Sequence, residues 1–406
     1  MIDRRGLLKG VSGAALVMGS GLASTPLSAL ATETITLPFD NGERPLIEYP
    51  QKRPLIRLTT RPPQLETPFA VYDGSTITPN DAFFVRYHLT QSPPADLDAK
   101  TYRVAVRGKV NTSLSLSMQD LRTAFEPMEI VAVNQCSGNG RGFSNPRVAG
   151  GQAGNGLMGN ARWKGVPLKS VLDKAGVQEG ARQVTFNGLD QPAISDTPDF
   201  LKALDIDHAR DGEVMLAYEM NGTDLPVLNG FPVRLVVPGY YGTYWVKHVS
   251  EITVIDNVFD GFWMKSAYRI PANACACLPP GGKAAATVPI NRYNVRSFIT
   301  NLTEGAQVRA SSDLVVKGIA FDGGYGITEV AVSVDGGQSW QATRLGEDLG
   351  RYSFREWQTA IRIKPGTHVL RVRATNRIGQ SQPMEALWNP PGYMRNVVET
   401  VTVNAA

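Results

Sequence analysis

From residue 102 onward, short apolar runs alternate with segments whose apolar residues recur every three or four positions. YRVAVRG (102–108) and IVAVNQ (130–135) have the length and β-branched content of strands. SMQDLRTAF (117–125) reads as a helix capped by Ser117. PLKSVLDKAG (167–176) reads as a second helix, with proline in its first turn and glycine at its end. PVRLVVPG (232–239) and WVKHVSEITV (245–254) read as further strands, and together these elements predict a mixed α+β domain over residues 32–290. Its first part, residues 32–80, is rich in proline and polar residues and is expected to lie over the core as an extended arm. After residue 290 the pattern changes. LVVKGIAFDG, EVAVSVDGGQSWQATRL, TAIRIKPGTHVLRVRATN and VVETVTVN alternate apolar with polar, and Asp335-Gly336-Gly337 and Pro365-Gly366 read as hairpin turns. Residues 291–406 are therefore expected to form an all-β, immunoglobulin-like sandwich.

The N-terminus changes the picture. Arg4 and Arg5 precede a mildly apolar stretch ending in Ala29-Leu30-Ala31, a small-x-small cleavage pattern. Residues 1–31 thus read as a twin-arginine export signal, and the mature chain is expected in the periplasm. No later run reaches the roughly 20 apolar residues of a membrane helix, so no membrane span is expected. The leader holds Arg4, Arg5 and Lys9 against Asp3, leaving a formal +2 of the chain's +4 on the remainder, a balance that argues against nucleic acid as partner. The three cysteines, Cys136, Cys275 and Cys277, are an odd number for an exported protein, so at least one thiol is unpaired within the chain.

Cys136 ends the apolar run VAVNQ and is followed by SGNGRGFSNPRVAGGQAGNG, too polar and glycine-rich to be core. A cysteine at a strand end is either a small buried hydrophobe or a thiolate held by a metal, and an oxidising compartment favours a protected sulfur. Arg141 lies within reach of whatever that sulfur holds. In FFVRYH (83–88), strand alternation would place Arg86 and His88 on one face as an anion site. Cys275-Ala276-Cys277 reads as a local disulfide or as two reduced thiols, since further zinc ligands are missing near by and C-x-x-C-H does not occur.

Several separated motifs in order, NQCSGNGR, FFVRYH, NARWKGVPL (160–168), FNGLD (186–190) and VMLAYEMNGTDLPVLNGFPVRLVVPGYYGTYWVK (214–247), resemble the molybdenum-cofactor domain of the sulfite oxidase family. VSVDGGQSWQ and WNPPGYMRNV resemble the dimerisation domain that follows it. The resemblance implies that Cys136 supplies the single protein ligand to molybdenum in a molybdopterin cofactor. It implies cofactor contacts at Phe84, Val85, Arg86, Tyr87, His88, Asp190, Asn229, Arg234, Trp245, Val246 and Lys247. Animal members carry histidine where this chain has Asn229, and arginine where it has Tyr244, so the anionic end of the cofactor is expected to be held differently. The anion pocket is expected from Arg86, Arg141 and, out of the second domain, Arg355, with Tyr268 as active-site hydroxyl and Trp163 as a pocket wall.

These features imply a sulfite dehydrogenase that oxidises sulfite to sulfate. Animal members of the family carry a haem domain in the same chain, for which this sequence is expected to have no room, so the electron acceptor is expected to be a separate c-type cytochrome, with a homodimer or a heterodimer with a cytochrome subunit as the assembly. A sulfoxide reductase using the same cofactor is the alternative within the fold, although such relatives usually lack the second domain. A non-enzymatic exported binding protein, with Cys136 merely packed, is the alternative outside it.

Overall fold

The computed structural model describes residues 34–37, 42–91 and 96–406. The expected twin-arginine leader, residues 1–31, lies outside the described residues. The arm is more than an extended strap. Gly42–Tyr49, Lys52–Thr59 and Gln64–Glu66 form an antiparallel meander that Val85–Arg86 extends. Alternation in PLIRLT turns Leu55 inward, where it meets Leu65, Val85 and Tyr87 in a small core. Pro54, which cannot donate to a ladder, falls where the register shifts between Ile47 and Tyr49.

Two sheets follow, the first mixed and the second antiparallel. One sheet runs in the order Lys202–Asp205, Gln183–Asn187, Glu251–Ile255, Arg103–Gly108, Leu114–Ser117. The other runs Thr223–Asp224, Met215–Met220, Met158–Pro167, Met128–Gln135, with Arg234–Val236 also paired to Met215–Met220. Both predicted helices form, as Met118–Thr123 and Leu168–Ala175. Ser117 Oγ accepts from the Asp120 N–H while the Asp120 carboxylate accepts from the Ser117 N–H, a reciprocal cap. Gly176, at φ +71°, closes the second helix by donating to the Leu172 and Asp173 carbonyls. Among the described residues no helix is long and apolar enough to cross a membrane.

Two predicted strands are shorter than their apolar patterns. PVRLVVPG pairs only over Arg234–Val236, and WVKHVSEITV only from Glu251 onward. His248 sits at φ +51° and bends the chain, so residues 245–249 run beside 233–235 on two isolated bonds, Leu235 N–H to Val246 O at 2.8 Å and Val249 N–H to Val233 O at 3.0 Å. That irregular stretch borders the site.

The second region is a two-sheet sandwich. Arg296–Ile299, Asp313–Phe321, Arg355–Arg362 and Arg344–Leu345 form one sheet, and Ala306–Val308, Glu399–Ala405, Gly366–Asn376, Ile327–Ser333 and Gln341–Ala342 the other. Val316, Trp357, Leu370, Val372 and Val403 fill the space between them. Asp335-Gly336-Gly337 does join paired strands, its Asp335 carboxylate accepting from the Gln338 and Ser339 N–H groups. Pro365-Gly366 is not a hairpin turn, because Arg355–Arg362 and Gly366–Asn376 belong to different sheets. The sandwich also touches the first core. Tyr352, Phe354, Phe298 and Phe321 join it, Val133 N–H donates to Tyr352 O at 2.9 Å, and Tyr293 Oη donates to Val133 O at 3.1 Å.

Strands Arg296–Ile299 and Asp313–Phe321 approach most closely at Gly318, where an added Cβ would stand 1.8 Å from Phe298 O and 2.7 Å from the Trp357 ring. Gly318→Ala is therefore expected to destabilise the protein by about 1–3 kcal/mol or more, the cost of overpacking a filled core. A denaturant midpoint equal to wild type would contradict this.

Candidate active site

Strand Met128–Gln135 ends at Cys136, whose N–H donates to Leu157 O at 2.9 Å before the chain turns through Ser137 to Gly140. Cys136 is half-buried and is the free cysteine, Cys275 and Cys277 being joined as a disulfide. The loop after Cys136 leaves room for Arg141, whose guanidinium lies 2.9 Å from where a Cβ at 138 would be and 2.7 Å from one at 150. Only glycine at both positions admits it. The loop is fixed from three sides: Glu66 accepts from the Gly154 and Gly156 N–H groups, Asn139 Oδ1 accepts from Leu157 N–H, and Arg296 donates to Asn155 Oδ1 at 2.9 Å.

Cys136 opens onto a cleft enclosing about 610 Å³, solvent mouth included. Its walls include Arg86, His88, Asp190, Arg234, Lys247 and Tyr268, with Phe84, Tyr87, Asn229, Trp245 and Val246 among the others. The structure thus gathers most of the predicted residues from five stretches of chain. Val85 is a correction: its side chain points the other way, into the small core with Leu55 and Leu65. Trp163 is another. It is fully buried behind the wall, donates to Ala132 O at 3.0 Å, and offers its ring to the Arg234 guanidinium at 5.1 Å. Arg355 is not among the residues lining the cleft; its guanidinium lies 3.3 Å from the Asp348 carboxylate. Arg141 stands one ring back, donating to Pro391 O at 2.9 Å and lying 5.0 Å over Tyr393, which in turn stacks on Tyr268 at 5.5 Å. The second region therefore brings an aromatic ring to the site where sequence reasoning placed a cation.

The cleft is electrostatically one-sided. Among the described residues Arg86, Arg234 and Lys247 face one lining carboxylate, Asp190, and none of the three makes an ion pair within 4 Å. Burial pushes Lys247 well below its ordinary value, and neighbouring Arg234 pushes the same way. Burial lowers Arg234 to about 9, still a cation at neutral pH. Burial raises the Asp190 carboxyl to about 6 against the pull of Lys247. His88, stacked on Phe200 at 3.7 Å, is held well below its usual range by burial and by Arg86, so it lines the cleft as a neutral imidazole. Buried polar atoms without a partner cluster here: Arg86 Nη1, Asn134 Oδ1, Ser137 Oγ, Arg234 Nε and Thr243 Oγ1.

Four features escaped the sequence. Asn134, Ser137 and Thr243 lie inside the motifs NQCSGNGR and 214–247, and all three line the cleft. Lys52, from the arm, carried no such signal; it donates to Phe83 O at 3.0 Å, to Asn80 O and to Asn229 Oδ1. With Asn229 Nδ2 donating to Phe84 O at 3.0 Å, the Asn229 amide is committed to the protein and serves as a brace between arm and cleft. Lys202 is equally silent in sequence, yet its Nζ donates to Trp263 O at 2.7 Å and lies 5.4 Å over the Tyr268 ring. Tyr244 donates to Ile290 O at 2.6 Å, away from any ligand role for its hydroxyl. The fourth feature is Tyr393 itself.

A cleft with unpaired cations, orphaned donors and a thiol fits an anionic, sulfur-preferring metal cofactor. Among the described residues no group of three or more His, Cys, Asp and Glu converges to hold a metal, so Cys136 is not part of such a cluster. Comparison with known proteins agrees. Residues 90–263 match the oxidoreductase molybdopterin binding domain and residues 287–406 the Mo-co oxidoreductase dimerisation domain. The chain is 33% identical to sulfite oxidase of Gallus gallus over 374 residues, covering 87% of this chain and 79% of that protein. It is 33% identical to mitochondrial sulfite oxidase of Homo sapiens over 401 residues, covering 94% and 72%. In fold it is similar to the sulfane dehydrogenase SoxCD from Paracoccus pantotrophus, with a TM-score of 0.72, 24% identity and 96% of each chain covered.

Burial lowers both Lys52 and Lys202 from 10.5 to about 7. Between those values the unfolded chain keeps protons that the folded chain has released, so stability rises with pH, by up to about 1.4 kcal/mol per pH unit for each such group. Above pH 10 the buried tyrosines, raised by burial, reverse the trend. Protein free of cofactor is expected to melt higher at about pH 9.5 than at about pH 7.5, with a shallower slope in Lys52→Met. A flat wild-type profile in calorimetry would contradict it.

Proposed function

Because the chain belongs to the sulfite oxidase family of molybdenum oxidoreductases, we propose that it oxidises sulfite to sulfate and passes the electrons to a separate c-type cytochrome in the periplasm. The observation that carries this reading is the free Cys136 thiol opening on a cleft whose cations lack counter-ions. When bound, the molybdenum–molybdopterin group supplies the two-electron redox chemistry, and the protein supplies binding, orientation and charge. Cys136 would hold the metal. Arg234, Lys247 and the unpaired Thr243 hydroxyl would take the cofactor's anionic end, where guanidinium forks and ammonium suit phosphate.

Sulfite and sulfate are small dianions. Arg86, with Nη1 unpaired, offers them charge and a directed donor, and Arg141 adds to the field from behind Tyr393. Tyr268 is held far above its ordinary pKa by burial, so it acts as a neutral hydroxyl that donates to a bound oxygen and keeps its proton. With His88 neutral, the positive charge of the pocket rests with its arginines and Lys247. The arrangement favours an anion throughout turnover and does not rely on a proton shuttle at these two residues.

The second region, a sandwich we read as immunoglobulin-like, would serve homodimer formation or docking of a cytochrome subunit. Reduction of sulfoxides remains the contrasting chemistry, and the unpaired arginine beside the thiol favours a substrate with full negative charge.

The test pairs metal content with turnover. Purified protein is expected to hold molybdenum and to reduce cytochrome c on sulfite, with no comparable reduction of methionine sulfoxide from an artificial donor. Cys136→Ser, loaded with cofactor to the same extent, is expected to lose at least about 100-fold in kcat, since even groups that only support a metal ligand cost roughly 10–100-fold. Normal sulfite turnover by that variant would overturn the assignment.

A further inference from the structure

The Cys275–Cys277 disulfide lies outside the site, yet it connects to it. We propose that this bond is a reversible reaction site for soft sulfur nucleophiles, a small thiolate or sulfite, and that its opening loosens the strap that holds Tyr393 and Arg141 against the cleft. Whether sulfite is the enzyme's substrate does not enter this proposal.

Two observations argue against a structural staple. The bridged cysteines are two positions apart, and a disulfide stabilises mainly through the loop it closes, so this one adds little. Cys275 is exposed while Cys277 is half-buried, which directs attack to the Cys275 sulfur and makes Cys277 the leaving group. The closed form also holds Ala276, a non-glycine residue, at φ +50°, a backbone conformation that opening would release.

The connection to the cleft is a chain of hydrogen bonds through one buried side chain. Asn389, 4% exposed, donates from Nδ2 to Ala276 O at 3.2 Å and to Tyr393 O at 2.9 Å, and its Oδ1 accepts from Tyr393 N–H at 2.9 Å. Leu278 N–H donates to Trp388 O at 2.8 Å beside it. From Tyr393 the path reaches the site at once: its ring stacks on Tyr268, Arg141 donates to Pro391 O, and Met394 N–H donates to Ser137 O at 3.2 Å, next to Cys136. The disulfide loop is thus bonded to the strap that backs Tyr268 and Ser137, two residues lining the pocket.

The chemistry balances without an added oxidant. A thiolate attacks Cys275 Sγ, the S–S bond breaks, Cys277 leaves as thiolate and a mixed disulfide forms; a second thiolate then frees Cys275, so two thiols give up the two electrons that the disulfide gains. Sulfite attacks the same atom through its sulfur lone pair, forming an S-sulfonate on Cys275 and releasing the Cys277 thiolate in one step.

The folded full-length holoenzyme is incubated with glutathione or with sulfite, and thiols are counted by alkylation and intact mass while amide exchange is followed. Opening is expected under conditions that leave the protein folded, and exchange at residues 389–394 is expected to rise about three- to ten-fold, the effect of losing one ordinary hydrogen bond. Glutathione adducts or two free thiols identify the thiol reaction, one free thiol with an S-sulfonate identifies the sulfite reaction, and the reagent effective at the lower concentration is the source. A Cys275→Ala, Cys277→Ala protein should show the raised exchange without any reagent. A bond that opens only on unfolding, or that opens with exchange at 389–394 unchanged, overturns the proposal, and neither readout requires turnover.

Discussion

Positive charge buried without a counter-ion is the constraint on which the site depends. Arg86, Arg234 and Lys247 line a cleft whose sole lining carboxylate is Asp190, while Lys52 and Lys202 stand behind the wall. Bringing a charge out of water costs several kcal/mol unless something answers it, and here, among the described residues lining the cleft, a single carboxylate, Asp190, stands against three cations. The surrounding groups have adjusted accordingly. Lys52 and Lys202 are each satisfied by backbone carbonyls, His88 is neutral, and the guanidinium of Arg234 lies against both the Trp163 and Trp245 rings, at 5.1 and 5.6 Å. Such a cleft is stable to the extent that an anion completes it, so cofactor binding and folding are thermodynamically linked.

The fold meets this constraint by building the site from separate layers. The strand that ends at Cys136 belongs to one sheet, the segment carrying Arg86 closes the edge of the arm's meander, and Lys247 follows a turn between irregular stretches. Glu66 links the first two, since its carboxyl accepts from the glycine-rich loop after Cys136 while its strand pairs toward Arg86. Burial raises that carboxyl to about 7, against the two N–H groups that favour its charged form. On the other side Arg296 ties the same loop to Glu399 of the sandwich at 2.9 Å. A loop of small residues is held where backbone must approach a ligand, and its rigidity comes from its neighbours.

What the sequence disclosed follows from how local each signal is. The helix at 167–176 was readable because Pro167, an apolar face and Gly176 lie within ten consecutive positions. Cys136 was readable because an apolar run stops at it and glycines follow. The arm misled because frequent proline masks a strand pattern, and the meander survives by placing Pro54 at a register shift. The stretch 245–249 misled in the opposite sense: its composition is that of a strand, but tertiary bonding bends it at His248. Lys52 and Asn229 are 177 positions apart, and no periodicity announces that the two will share a hydrogen bond.

Arg355 and Tyr393 make the same point about chemistry. Both belong to the second region, and a cation was the natural expectation for an anion pocket. Ladder register places Arg355 opposite Ala320 and within reach of Asp348, where it is answered by a carboxylate of its own region. The strap at 389–394 instead delivers a ring, which stacks against Tyr268 and has the Arg141 guanidinium 5.0 Å from its centre. A ring in that place does what another cation could not: it packs behind Tyr268 without adding to charge that is already unbalanced. The sandwich is therefore part of the site's architecture, and its position is a condition for the pocket's shape.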